Sequence, residues 1–485
     1  MSTYDSAPPA GPSPAQTAPA QSSLAGTTTA TPASIAAAWA RHRVTKSETR
    51  RGTVIALLAW IFAVYDFILF GTLLPSIQED FGWSSSRAVG IATAISVGTA
   101  LVVFAVGPIV DRLGRRKGML LTVSGTALAS AASAASVGAG SLVAVRSIGG
   151  LGLAEQSVNT TYLNEIYALS EDEQITKRRG FIYSIVQGGW PLGTLLAAAF
   201  AAVLLPVVGW RGCFLVAVFP AIVIVLLRRK LKETPQFALQ DQVRKLHKSG
   251  DVAGAQALAA EYGLQAERKA PLREVFAPES RRNTIVLGLG WFTNWFGIQT
   301  FSVLGTSVLT QGKGVDFAGA LIMFIVINIV AFTGYIFHGW AGDRFGRRNV
   351  IAVGWLISAV LFACMLLFAE STFAVVALYA GGMFFLVGPY AAMLFFMGEC
   401  YTADCRATGA SLINAISQPG AIVAGILVAS LLAGGMAWSS TALYVGVSGI
   451  LVSGIVMFFC KKVQPLSLSD GGIHEQSAES VAVRA

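Results

Sequence analysis

Charge is what this chain has least of: 13% of its 485 residues are Asp, Glu, Lys or Arg, against 54% hydrophobic residues. A soluble protein carries about 25% charged residues. At this length a soluble fold would form several domains, each needing a charged surface, and too little charge is present to supply them. The mean hydropathy of +0.63 points the same way, so most of the chain is expected to be dissolved in lipid. Histidine is nearly absent, with His42, His247, His338 and His474 alone. The five cysteines (Cys213, Cys364, Cys400, Cys405 and Cys460) are scattered, without the spacing of a disulfide framework or a zinc site. No phosphate-binding glycine loop is present. These absences exclude ATP as the expected energy source and leave no constellation for an enzyme, a metal or a cofactor.

What is there is apolar and periodic. Residues 1–50 are rich in Ala, Pro, Ser and Thr and are expected to be a disordered tail, not a signal peptide. From Thr53 onward, stretches of roughly 20 apolar residues recur, the length a helix needs to cross a bilayer. Twelve are read, beginning near Thr53, Ala88, Met119, Leu142, Gly180, Gly212, Thr284, Phe317, Val350, Phe373, Ala407 and Ser440. Only helices suit such spans, because each satisfies its own backbone hydrogen bonds. They divide into an N-terminal bundle (51–227), a basic linker with short surface helices (228–282), a C-terminal bundle (283–462) and a disordered tail (463–485).

The net charge of +9 would suit a nucleic-acid partner, but its carriers sit at the ends of the apolar runs. One set of loops holds Arg112, Arg115, Arg116, Lys117, Lys177, Arg178, Arg179, Arg344, Arg347 and Arg348, together with the basic stretch from Arg228 to Arg282 and Lys461–Lys462. The other set holds only Arg87, Arg211 and Lys313. The bias places both termini and the linker in the cytoplasm of a multi-pass cell-membrane protein, with lipid and not nucleic acid as its surroundings.

Two loops are near copies. Gly107-Pro-Ile-Val-Asp111-Arg112-Leu-Gly114-Arg115-Arg116 follows the second span, and Gly339-Trp-Ala-Gly-Asp343-Arg344-Phe-Gly346-Arg347-Arg348 follows the eighth. Two copies in register make an internal repeat, which in transporters means two bundles around a central site. The chemistry suits a latch: a loop carboxylate can cap a helix N-terminus, and guanidinium forks hold carboxylates bidentately.

This pattern resembles the signature of the major facilitator superfamily over roughly residues 53–462. Arg146-Ser-Ile-Gly-Gly150-Leu-Gly152 is similar to the fourth-helix motif of that family. Glu165 with Arg179, Glu399 with Arg406, and Lys232-Glu233-Thr234-Pro235 resemble helix-end motifs of its sugar-porter and organic-ion branches. The resemblance implies an all-α membrane protein of twelve transmembrane helices in two pseudo-symmetric six-helix bundles. It also implies a cytoplasmic gate of ion pairs among Asp111, Arg112, Arg115, Glu165, Arg179, Asp343, Arg344, Arg347, Glu399 and Arg406.

Three charges fall within apolar spans: Asp66, Arg146 and Glu155. A carboxylate in mid-bilayer costs about 2.5–3.5 kcal/mol on insertion scales, so each acid needs a partner or a proton. Asp66 lies nine residues from Pro75, about 13 Å below one membrane face, and Arg146 five residues from Ser141, about 8 Å below the same face, so the two can meet. In the proton-coupled sugar porters that the chain resembles, a pair at these places couples protons to transport. Glu155 is nine residues after Arg146, about 180° round a helix, and is read either as a second coupling acid or as a structural partner of an adjoining helix. His338, at a helix end, is read as a surface histidine.

Candidate substrate contacts are polar or aromatic residues at matching depths: Tyr65, Asn159, Gln187, Trp190, Trp291, Asn294, Trp295, Gln299, Tyr390, Asn414 and Gln418. Tyr65-Asp66-Phe67 with Phe70-Gly71 and Pro75 resembles metabolite, aromatic-acid and sialic-acid symporters. The expected function is proton-coupled import of a small polar metabolite, an organic acid favoured, by a monomer using the proton gradient and no bound cofactor. A sugar symporter, an exporter of amphipathic compounds, and a non-transporting sensor are the other readings.

Overall fold

The computed structural model describes residues 31–177, 179–264, 275–401 and 406–461. Helices dominate, and each of the twelve apolar stretches begins in one. The first half comprises α1 (Pro32–Ala40), α2 (Lys46–Phe81), α3 (Ser85–Leu113), α4 (Arg115–Ala134), α5 (Ala139–Gly149), α6 (Leu151–Ala168), α7 (Glu173–Lys177), α8 (Arg179–Gln187), α9 (Gly189–Val216) and α10 (Val218–Arg229). The linker holds α11 (Pro235–Lys248) and α12 (Val252–Glu261). The second half comprises α13 (Pro278–Gly297), α14 (Phe317–Phe345), α15 (Arg347–Phe368), α16 (Thr372–Val387), α17 (Tyr390–Glu399), α18 (Arg406–Ala415), α19 (Ser417–Ala433), α20 (Trp438–Ala442) and α21 (Ser448–Met457). Among the described residues, eight helical stretches are long and apolar enough to cross a membrane. One of them, Phe181–Arg229, covers two expected spans. It bends at Gly209, whose φ of 66° no helix adopts.

Local chemistry sets the helix ends. Thr45 and Glu48 form a reciprocal capping box at the start of α2. Ser84 caps α3 and Asp316 caps α14. The duplicated loops then turn at matching glycines: Gly114 has φ 98° after α3, and Gly346 has φ 87° after α14, a region in which side chains with a Cβ are strained. Beyond Gly297, the helix begun by α13 continues as two π-helical turns, Ile298–Val303 and Val308–Gly312, flanking Gly305–Ser307. Across the two halves, α3 packs on α19 and α9 on α14.

The expected disordered tail is shorter than composition suggested. Within 1–50, α1 is helical and α2 begins at Lys46. Trp39 donates its indole N–H to the Tyr262 carbonyl (3.0 Å), His42 meets the Tyr262 hydroxyl (3.1 Å), and Arg41 pairs with Glu261 (2.5 Å). Val44 then pairs with the chain after α6, giving its N–H to Leu169 O (2.8 Å) and accepting from Glu171 N (2.9 Å). Lys46 closes on Asp172 at 3.0 Å, and that hydrogen bond holds the carboxyl below its usual range. Partners more than a hundred residues away order this segment, and its composition does not reveal them. Residues 1–30 and 462–485 lie outside the described residues.

Candidate functional site

Two buried ion pairs organise the first half. Asp66 on α2 faces Arg146 on α5, both nearly inaccessible to solvent. Arg146 Nη2 stands 3.1 Å from Asp66 Oδ2 and donates to the Asp66 main-chain oxygen at 2.7 Å. Its Nη1 lies 3.4 Å from Oδ1 and 3.3 Å from Ser130 Oγ, and the Ser130 hydroxyl also donates to Oδ1. Oδ2 therefore has the ion-pair contact but accepts no hydrogen bond among the described residues. The Phe214 ring lies under the guanidinium at 5.1 Å. Depth along the two helices anticipated this pair; Ser130 went unnoticed, because a lone serine in an apolar run carries no signal.

Glu155 on α6 has a fuller set of partners. The Arg228 guanidinium grips it with both terminal nitrogens, Nη1 to Oε2 at 2.9 Å and Nη2 to Oε1, and the Thr122 hydroxyl adds a bond to Oε2 at 2.5 Å. Arg228 reaches on to Met119 O (2.6 Å) and Asn159 Oδ1 (3.1 Å), and Asn159 donates to Ala56 O at 3.2 Å. Helices α2, α4, α6 and α10 meet on this one arginine. Charge bias had placed Arg228 at the head of the basic linker; the structure buries it completely. The need of Glu155 for a countercharge drew it inward. Asn159 is correspondingly committed to the fold of the first half.

At the basic end, the duplicated loops each present an arginine to a glutamate. Arg115 donates to Glu165 Oε1 from Nε (3.2 Å) and Nη2 (3.1 Å). Arg347 pairs with Glu399 and, at 2.8 Å, with Asp343. These pairs join helices of the same repeat. The expected helix cap is supplied from the linker: the Glu233 carboxylate accepts from Arg115 N and Arg116 N, each at 3.1 Å, at the start of α4. Thr234 hydrogen-bonds to Glu165, and Arg115 lies 5.3 Å over the Phe237 ring. Arg112 is exposed, and Arg344 rests 5.9 Å from the rings of both Trp340 and Phe345. The side chains of Asp111, Arg179 and Arg406 lie outside the described residues. His338 is buried, not superficial; its Nδ1 meets Gly334 O at 2.8 Å, with Phe337, Phe384 and Phe385 around the ring.

The candidate substrate contacts separate into groups. Gln187 bonds to Tyr183 (2.5 Å) and Gln156 (3.0 Å) inside the first half. Tyr390 donates to Asn294 Oδ1 at 2.6 Å, Asn294 reaches Ser453 at 3.5 Å, and Trp291 packs 4.6 Å from Tyr390, all inside the second half. Tyr65 packs between Phe62 and Phe200, its hydroxyl unmet among the described residues. Gln299 and Gln418 are buried, and Asn414 is half-buried. Trp190 and Trp295 meet across the two halves, ring centres 6.1 Å apart. Trp190 donates to Ser302 Oγ at 3.3 Å, and Trp60 and Phe67 join from α2.

Further towards the end opposite the basic loops, the halves are bound by uncharged groups. Gln311 accepts from Ser85 Oγ (2.6 Å) and Trp438 Nε1 (2.7 Å) and donates to Gln78 Oε1 (3.3 Å). Thr306 donates to Gly71 O at 3.2 Å, and Ser86 to Ala429 O at 3.0 Å. At Gly71 an added Cβ would lie 2.1 Å from Val303 O, so glycine is required for this approach. No motif pointed to Gln311, because an amide at a helix end is unremarkable until its partners on the other half are known.

The family model described as "Sugar (and other) transporter" matches residues 19–470. A gallate transporter of Pseudomonas putida is 28% identical over 79% of this chain and 85% of its own length. A gentisate transporter of Corynebacterium glutamicum is 24% identical over 83% and 86%. In fold, the chain is similar to a crystal structure of a D-xylose–proton symporter, with a TM-score of 0.65, 18% identity, and 87% of this chain and 100% of that one covered. The relatives are transporters and not enzymes, and the apolar helices are those of a multi-pass membrane protein. The chain belongs to the sugar (and other) transporter family, and its fold is similar to that of a major facilitator superfamily symporter.

Proposed function

We propose that this protein is a secondary active transporter that carries an aromatic carboxylate into the cell together with protons, by alternating access. The observation that carries the coupling is the buried Asp66–Arg146 pair, in which one carboxylate oxygen accepts no hydrogen bond. An ionised carboxylate in the bilayer is tolerable while its cation is beside it. A proton arriving at Oδ2 would neutralise Asp66, release Arg146 and Ser130, and let α2 and α5 shift around bound substrate. Glu155 has no such vacancy, so we assign it to holding the first half together.

Gallate and gentisate, named for two relatives, are both hydroxybenzoates, and the tryptophan-rich contact between the halves suits a planar ring. Alternating access would use twelve spans in two six-helix bundles of a monomer in the cell membrane. The Lys/Arg bias supports a cytoplasmic position for the basic loops, the linker and both termini. The ion pairs at that end and the Gln311 contacts at the other would then belong to the inner and outer gates.

The test is uptake of radiolabelled gentisate, gallate and D-xylose into proteoliposomes, with and without an inward proton gradient. Concentrative uptake of an aromatic acid, driven by the gradient, is expected. Asp66→Asn should abolish that accumulation while sparing exchange of labelled for unlabelled substrate. Gradient-driven accumulation by Asp66→Asn at the wild-type level would refute the coupling assignment, and uptake of xylose alone the substrate class.

A further inference from the structure

Three indole rings meet where the halves touch. Trp60 on α2 and Trp295 on α13 each lie 6.1 Å, centre to centre, from Trp190 on α9. The three differ in what their N–H groups do. Trp190 spends its N–H on Ser302 across the boundary. The N–H groups of Trp60 and Trp295 have no acceptor among the described residues, although Trp60 is 1% exposed and Trp295 7%. A buried donor left unmet is costly, and lipid supplies no water to meet it. If ring packing were all these sites required, phenylalanine would serve without an idle donor.

We infer that the indole N–H groups of Trp60 and Trp295 receive the substrate's carboxylate, one from each half, with the Trp190 ring as the platform between them. The inference rests on the reading of an aromatic carboxylate as substrate. A carboxylate offers acceptors only, and hydrogen bonds from neutral donors to it are charge-assisted. As the anion arrives the buried cations are engaged, Arg228 by Glu155 and Arg146 by Asp66 until the proton reaches that carboxylate. Donors drawn from both halves would couple arrival of the anion to closure around it. Trp291 also lacks an acceptor among the described residues but packs within the second half, against Trp355 and Tyr390, and takes no part.

The experiment measures gentisate uptake by full-length Trp60→Phe and Trp295→Phe in proteoliposomes, with gentisyl alcohol as a ring-matched competitor lacking the carboxylate. Each variant is expected to raise the KM for gentisate about tenfold, the loss expected of one hydrogen bond to a charged group. Inhibition by gentisyl alcohol should stay as in the wild type. Should phenylalanine impair folding, benzothienylalanine at the same positions replaces the N–H with sulfur and keeps the bicyclic ring; it should give the same KM increase. An unchanged KM, or an equal loss for acid and alcohol, would overturn the inference while leaving the transport reading intact. A wild type that moves no aromatic acid overturns both.

Discussion

Arg228 and Glu155 lie 73 residues apart in sequence, yet form an ion pair from which solvent is wholly excluded. Removing one partner of such a pair strands the other charge, at a cost of about 3–5 kcal/mol, whereas replacing both with apolar groups of similar size is far milder. Glu155→Gln and Arg228→Gln should therefore each lower the apparent melting temperature in detergent sharply. The double variant Glu155→Leu/Arg228→Met should melt nearer the wild type. If Glu155→Gln is as stable as the wild type and loses only gradient-driven accumulation, Glu155 is a coupling acid and not a clamp.

The two turn glycines look equivalent in sequence but differ in their surroundings. At Gly114 an added Cβ would meet Glu233 Oε2 at 2.5 Å and Phe237 at 2.8 Å; at Gly346 nothing lies within 4 Å. Gly346→Ala carries only the backbone strain, about 1–3 kcal/mol. Gly114→Ala must also displace the carboxylate that caps α4, and its melting temperature should fall further. Equal losses would show that the Glu233 cap contributes nothing.

Gln311 ties both Ser85 and Gln78 of the first half to the second. Each such bond is worth about 0.5–1.5 kcal/mol net, so Gln311→Ala should favour opening at that end roughly tenfold. In a cysteine-free background carrying Ser302→Cys, a membrane-impermeant thiol reagent added from that side should react correspondingly faster. The bonds involve no ionisable group, so the acceleration should not vary with pH between 6 and 8, a range of about that width in which only histidine ordinarily titrates. Labelling at the wild-type rate would mean that the contacts do not hold the end shut.

What could be read from sequence follows the geometry of helices. Asp66 and Arg146 were matched by depth, because rise per residue converts position into height. Arg228 was misplaced by the same one-dimensional logic: height is legible, but which way a side chain turns at the end of a span depends on neighbours brought by other helices. Asn294 was read as a substrate contact because an amide in lipid needs a partner, and Tyr390 proved to be that partner. The duplicated loop was legible down to its turn glycines; Glu233, which completes one copy, was visible only as part of a neighbouring motif.

Glu233 and Thr234 bind the linker to α4 and α6, and α1 binds α12 in turn. Helices α11 and α12 are thus fastened to the first half by hydrogen bonds to α1, α4 and α6. A pull on α11 or α12 would reach the loop between α3 and α4 directly, through the Glu233 carboxylate that caps α4.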